Sequence, residues 1–258
     1  GRDKPLALQY LTWAGNMLRG DLGESVQQQR PVTTIIGEKW GATFQLAIAA
    51  WIFGTITGIP LGVVSALQRG KFTDYLARGV ALIGQTLPAF WIGLVGIWIF
   101  AVYLGWLPVF GRGAGLPFFE QAKHYVLPVL VLGWGPMAGY MRITRSAMLE
   151  VLDSEYVKLA RAKGVANRSV IWKHAFRNAL IQPLTIATLL LAGFMDGAVL
   201  VEVIFAWPGV GRVAGEAVNQ NDFMLITGTV FIFTFLYLVM SLVADLLYTV
   251  ADPRIRLS

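Results

Sequence analysis

The chain has 258 residues, of which 56% are hydrophobic and 14% charged, with a formal net charge of +6. A soluble domain of this size could not hide so much apolar surface in one core, so lipid must cover the excess. Its bases sit in short stretches beside apolar runs and are not interleaved with aromatics, which excludes a nucleic-acid surface, and the absence of cysteine removes disulfide, thiolate-metal and cysteine-nucleophile chemistry.

Residues 1–41 are predicted to form an outer-face segment with one short surface helix. Pro5 stands at its first position, Leu6, Tyr10, Trp13 and Met17 share a stripe, and Gly20 ends it. An interfacial or partner-packing helix and a plain loop helix fit equally well. The segment has no initiator Met, basic leader or signal-type apolar run, so a preceding helix is expected to be missing or removed.

Five uncharged runs follow, at residues 40–68, 79–111, 124–141, 178–195 and 223–244. Each is near or above the roughly 18–20 residues needed to cross hydrocarbon. The expected fold is therefore an all-α polytopic membrane protein, with a membrane domain at 42–250, a loop at 142–178 and a tail at 251–258. The third run is interrupted by Pro128 and Pro136, and the fourth must continue past Asp196 toward Ile204 to span. Pro60, Pro88 and Pro183 also lie in or beside helices, where neighbouring helices can satisfy the freed carbonyls. Glycines four apart, Gly54 with Gly58, Gly58 with Gly62, Gly135 with Gly139 and Gly193 with Gly197, predict close helix packing, within the chain or across a dimer.

Thirteen of the twenty-one Lys and Arg fall after the first span, after the third span and in the tail. By the positive-inside rule that side is cytoplasmic, which puts the N-terminus outside and the C-terminus inside. Asp196 is the deepest acid, with Glu202 and Asp245 nearer the interfaces. A charge at mid-membrane costs roughly 2.5–3.5 kcal/mol, so Asp196 must face water or a partner. It is the candidate for lining a translocation path, with a packed acid neutralised by a partner subunit as the equal alternative. For Glu202 and Asp245, interfacial hydration favours a structural role.

Enzymatic chemistry has little to build on. No G-x-x-x-x-G-K-[ST] sequence occurs, so ATP hydrolysis by this chain is not expected. His124 and His174 fall on opposite sides of the predicted topology. G-R-G-A-G (Gly111 to Gly115) follows a span without opening a helix, as a flexible outer loop would, and the sequon at Asn167 lies on the cytoplasmic side.

The loop after the third span carries eight bases against three acids. From Glu155 the sequence E-Y-V-K-L-A-R-A-K-G predicts a helix with acids early (Asp153, Glu155) and bases late (Lys158, Arg161, Lys163), matching the macrodipole at both ends. Gly164 supplies a left-handed stop. A second helix, Arg168 to Asn178, leads into the fourth span. Tyr156, Leu159, Ala160 and Lys163 share one face that the alanines leave shallow enough to enter a groove.

A-R-A-K-G (Ala160 to Gly164) followed by H-A-F-R-N-A (His174 to Ala179) resembles the cytoplasmic coupling loop of permease subunits in ATP-binding-cassette importers, in the dipeptide/oligopeptide branch. M-R-I-T-R-S-A-M-L-E-V (Met141 to Val151), G-A-V-L-V-E-V-I-F-A-W-P-G-V-G-R (Gly197 to Arg212) and A-D-L-L-Y-T-V-A-D-P-R-I-R (Ala244 to Arg256) resemble the same family in the same order. R-G-D-L-G-E-S (Arg19 to Ser25) is similar to the outer segment after the first helix of its first permease subunit. One departure stands out. The broad importer signature has Glu-Ala-Ala ahead of the glycine, where this chain has Lys158, Leu159 and Ala160.

The resemblance implies an importer-type bundle in the bacterial or archaeal cytoplasmic membrane, with six spans where five are visible here. It implies a second homologous permease subunit, two cytoplasmic ATPases that hold the ATP and Mg, and an extracytoplasmic substrate-binding protein, with no cofactor in this chain. Residues Glu155, Tyr156, Lys158, Leu159, Ala160, Arg161, Ala162, Lys163 and Gly164 would form the ATPase-coupling element. Peptide cargo is implied by family, with nickel, glutathione or another small solute as alternatives. An ion-coupled secondary transporter would need a relay that Asp196 alone does not make, and a membrane-embedded enzyme would need a cluster the two histidines cannot form.

Overall fold

The computed structural model describes residues 5–251, apart from the side chains of Ala192, Asp196, Ala244, Asp245 and residues 247–251. Residues 252–258 of the predicted tail 251–258, and the side chains of Asp196 and Asp245, thus lie outside the described residues. Those described are almost wholly helical. Helix α1 is Leu6–Leu18, α2 Val32–Leu67, α3 Phe72–Thr86, α4 Ala89–Tyr103, α5 Phe118–Leu152 and α6 Glu155–Ala162. A helical run at 167–179, called α7, leads into α8 (Ile181–Ile204), α9 (Val210–Asn219) and α10 (Phe223–Ala251).

Helices α2, α5 and the stretch Phe223–Val243 of α10 are each long and apolar enough to cross a membrane. The second predicted run, 79–111, is not one helix: α3 and α4 meet at 106°. Pro88 is the cause. It cannot donate a backbone bond and forces Leu87 out of the helical region, to φ −85° and ψ 136°. The fourth run reaches Ile204 as the span length required, but bends by 50° between Leu191 and Gly193. Only as bent pairs do these two segments qualify as spans.

Helix α5 departs from expectation in the other direction. Pro128 and Pro136 lie inside it without ending it, and it runs 35 residues to Leu152. Arg142 and Arg145 therefore belong to a helix facing its neighbours, and the loop proper starts at Asp153.

The glycines of α2 explain how the bundle is joined. A Cβ at Gly58 would lie 2.5 Å from the Met137 carbonyl oxygen, and one at Gly62 2.6 Å from that of Met141. In return, a Cβ at Gly133 of α5 would lie 2.9 Å from the Ala50 carbonyl. The two longest helices thus touch backbone to backbone, and the packing is within the chain. Gly139 and Gly193 have open space where a Cβ would stand and bring no helices together within the chain.

Two clusters fill the body. One joins Leu46 and Ala50 of α2, Leu132 of α5, Phe194 of α8 and Phe205 and Trp207 beyond it. The other ties Met17, Leu22, Val32 and Ile35 to Val210, Val213 and Leu225. Of the predicted surface stripe only Met17 is buried; Leu6 and Tyr10 are exposed. Among the described residues the short helix is buried only at its last turn.

The N-terminal segment is held at a second point by Asp222, which is buried just ahead of α10. Its carboxylate accepts from Ser25 Oγ at 2.5 Å and from the backbone N–H groups of Gln27 and Leu225, each at 3.2 Å, the last capping α10. Burial works to raise this carboxyl's pKa, but the hydrogen bonds from Ser25 and the backbone outweigh it and hold it below the usual carboxylate range. The contact is thus at full strength above the ordinary Asp pKa of about 4 and is lost as pH falls through the depressed folded value. Amide exchange at residues 25–28 is expected to stay slow down to pH of about 4 and to quicken below it; Asp222→Asn should quicken it at neutral pH.

Candidate functional site: a braced basic hairpin and a seam between helices

At the end of the bundle where the bases gather, called here the basic end, α5 turns at Asp153 and Ser154 into α6. Glu155 lies in the first turn of α6 and Arg161 in the last, complementing the dipole. The helix then stops on two bonds, Gly164 N–H to the Arg161 carbonyl at 2.9 Å and Val165 N–H to the Ala160 carbonyl at 3.2 Å. This is a Schellman closure, and it requires the left-handed φ of +78° at Gly164.

The coupling residues expected from sequence are together on this hairpin. Glu155 and Lys158 pair at 2.8 Å on the exposed side, while Arg161, Ala162 and Lys163 face solvent. Leu159 is 55% exposed and Ala160 half-buried, so an apolar spot stands among charges. Tyr156 is 45% exposed but held at its hydroxyl. Asn178 Nδ2 donates to its hydroxyl at 3.2 Å and to the His174 carbonyl at 2.7 Å, which ties α6 to α7. Val157, absent from the expected face, is the fully buried residue of α6.

Helix α7 winds wide, in π fashion, from Val170 to Phe176. That winding leaves Trp172 exposed, edge-on to Phe176 at 5.2 Å, and buries Val170 and Ala175. Ala175 and Ala179 pack on Val63 and Ala66 of α2 and Ala147 and Met148 of α5. The hairpin is therefore braced against both long helices.

A buried ion pair stiffens the same end. Arg145 on α5 grips Asp74 on α3 with two bonds, Nε to Oδ1 at 2.9 Å and Nη2 to Oδ2 at 3.0 Å. Ser65 Oγ of α2 donates to Asp74 at 2.5 Å, and the Gly70 N–H at 3.1 Å. Three helices meet on one carboxylate. Sequence reasoning missed Asp74 and Arg145; an acid one turn into α3 and a base in an otherwise apolar span were the available signals.

Away from this end, a chamber of about 310 Å³ opens where α3 breaks from α4 and α8 bends. Gly84, Leu87, Leu132, Pro136, Phe194 and Gly197 line it, so its wall is apolar. The next turns of α3 and α5 toward the basic end frame a groove of about 660 Å³ bearing Arg78, Gln85 and Arg142. Asp196 lies on α8 between two chamber residues, but its side chain is outside the described residues, so its expected place in a path receives no geometry.

The far end is closed by the stretch after α8. Glu202 is fully buried, and its Oε2 accepts the Arg212 N–H at 3.1 Å. The Trp207 indole donates to the Ala42 carbonyl at 2.9 Å and Val210 N–H to Thr43 Oγ1 at 2.8 Å. A Cβ at Gly209 would lie 2.2 Å from the Glu202 carboxylate. The structural role expected of Glu202 is present, but by a different cause. Glu202 is enclosed by protein, and the start of α9 donates to Oε2 while Oε1 has no hydrogen-bond partner among the described residues. His124 likewise pins the loop read as flexible, its Nδ1 lying 3.2 Å from the Phe110 carbonyl and 3.1 Å from that of Gly111.

Among the described residues no group of three or more His, Asp or Glu could hold a metal ion.

Residues 58–257 match the family described as binding-protein-dependent transport system inner membrane component. The chain is 40% identical over 277 residues to the dipeptide transport system permease protein DppB of Alkalihalophilus pseudofirmus, covering 99% of this chain and 83% of that protein. It is 40% identical to the di/tripeptide transport system permease protein DppB of Pseudomonas aeruginosa (99% and 82% covered) and 39% to the oligopeptide transport system permease protein AppB of Bacillus subtilis (99% and 82%). Among solved structures, an amino acid ABC transporter crystallised with histidines superposes with a TM-score of 0.66 at 16% identity, over 84% of this chain and 94% of that one. The MetNI methionine ABC transporter in an inward-facing form gives 0.67 at 17%, over 84% and 96%. At such identities the likeness is one of fold.

Proposed function

Because the chain belongs to the family of binding-protein-dependent transport system inner membrane components, we propose that it is a permease subunit of an ATP-driven importer of di- or oligopeptides and forms half of the translocation path. The observation that carries this reading is the braced hairpin. Its exposed Leu159 and charged neighbours offer a docking face, and its buried side is locked to α2 and α5. A force applied at α6 therefore reaches the membrane core.

The basic end is the cytoplasmic one by its Lys and Arg content, which leaves the N-terminal segment outside. Two ATPase subunits, holding the ATP and Mg, dock on this hairpin and its counterpart on a second permease subunit, and a binding protein delivers cargo from the outer side. When the ATPases close, α6 moves with α5. The break at Leu87 and Pro88 and the bend before Gly193 are where the helices can change direction, and access to the chamber alternates there. The Leu159 position in place of the signature alanine suits an apolar socket.

Reconstitution with the partner permease, ATPases and binding protein in liposomes tests the reading. Uptake of labelled di- and tripeptides should require ATP and the binding protein, and the chain alone should hydrolyse no ATP. Uptake that ignores ATP and collapses with the ion gradient would establish a secondary transporter instead, and preference for nickel or glutathione over peptides would overturn the cargo.

Gly164→Val probes the hairpin alone. No atom lies within 4 Å of the position a Cβ would take, so the cost is conformational, about 1–2 kcal/mol for a left-handed residue and more for a branched one. Membrane insertion should be unchanged while ATPase co-purification and uptake fall about tenfold. Parent-like uptake would show that this turn does not set the docking geometry.

A further inference from the structure

The groove on the basic side of the chamber holds two guanidinium groups that no acid neutralises. Arg145 is consumed by Asp74, yet Arg142, three residues earlier on α5, donates only to Gln85 Oε1 at 3.1 Å. Arg78 stands 6.0 Å from the centre of the Tyr75 ring. Neither has a carboxylate partner among the described residues.

Arg142 lies ten residues from the end of α5, about 15 Å along the axis, and is exposed directly after the uncharged run 124–141. At that edge of the span the exposed guanidinium keeps its water and is free to meet an anion. Leu82, Met141 and Leu149 supply an apolar wall beside the two bases. The groove also continues the seam of the chamber. Gly84 and Gly135 line the chamber, and Gln85 and Ala138 line the groove. Something leaving the apolar chamber toward the basic end would meet Gln85, Arg142 and Arg78 next.

We propose that Arg78 and Arg142 form an anion subsite that holds the C-terminal carboxylate of a peptide on its way out of the chamber, a reading that rests on the proposed function. A guanidinium pair on one side and an apolar wall on the other match the two ends of a small peptide: carboxylate and side chain. Gln85 orients Arg142 toward the groove. The subsite loads from the chamber and empties into the cytoplasm, so peptide accumulating there should occupy it again and slow the next cycle.

That back-occupancy gives a test that bypasses the outer binding protein. Proteoliposomes containing the complete transporter are loaded with ATP and either Ala-Ala or Ala-Ala-amide, and initial uptake of labelled dipeptide is measured. Luminal Ala-Ala is expected to inhibit at about tenfold lower concentration than the amide, as loss of a charge-assisted hydrogen bond implies. Arg78→Gln and Arg142→Gln should abolish that difference and Arg142→Lys retain part of it, whereas Arg69→Gln, a base outside the groove, should leave it intact. Co-purification of all subunits confirms assembly of each variant.

Equal inhibition by the two peptides in the parent, or a difference that survives both Gln variants, overturns the subsite while leaving peptide uptake established. Absence of peptide uptake in the parent overturns the proposed function itself. Native mass spectrometry that finds phosphatidylglycerol on the parent and not on Arg78→Gln, with luminal peptides inert, assigns the groove to lipid and likewise overturns the proposal.

Discussion

Arg145→Met is expected to destabilise the chain by about 3–5 kcal/mol, because it strands a buried carboxylate. The Asp74 side chain is 2% exposed and that of Arg145 20%, so little solvent screens the pair. Removing the cation leaves Asp74 with only Ser65 and the Gly70 N–H as donors, and α3 keeps only its weaker polar ties to α5, Gln85 with Arg142 and the Val80 carbonyl with Trp134. The comparison that isolates this cause is the double variant Asp74→Leu/Arg145→Met, which removes the charge along with its partner and should recover most of the loss. Unfolding in dodecyl sulfate followed by circular dichroism reads both. A single variant as stable as the parent would mean that water reaches Asp74.

Gly58→Val should be of similar severity for a steric reason. The new Cβ would fall 2.5 Å from the Met137 carbonyl oxygen and 3.0 Å from Tyr140 Cβ, and neither backbone can step aside without moving α5. Overpacking ordinarily costs about 1–3 kcal/mol, and a clash with main chain between two long packed helices belongs at or above the top of that range. Gly139→Val, with open space at its Cβ, is the internal control and should be neutral in the same unfolding assay.

Hydropathy runs and the charge count made the helical bundle legible, and the macrodipole pattern from Glu155 to Gly164 made the hairpin legible down to its left-handed stop. What stayed hidden depends on long-range partners. Hydropathy averages over a window, so it could not distinguish Pro88, which breaks its run by 106°, from Pro128 and Pro136, which interrupt nothing. Leu87 leaves the helical region ahead of Pro88 while α5 continues through Pro128 and Pro136, a difference that local composition does not carry. The glycine spacing foretold close packing, but which helix would meet α2 is a matter of tertiary contact. Asp74 and Arg145 are 71 residues apart, and nothing in either neighbourhood names the other. Glu202 was assigned a structural role for the wrong reason, since its donors come from a short helix that hydropathy does not register.

The α2–α5 seam also sets a timetable for biogenesis. Gly58 and Met137 are about eighty residues apart, and a ribosome adding roughly 5–20 residues per second needs about 4–16 s to deliver the second after the first. Throughout that interval α2 waits in the bilayer with its glycine face uncovered. Asp74 waits as long for Arg145, and its place in the first turn of α3 suits the delay. A carboxylate there can stay hydrated at the membrane surface until its cation arrives, whereas two turns deeper it would have to enter lipid alone.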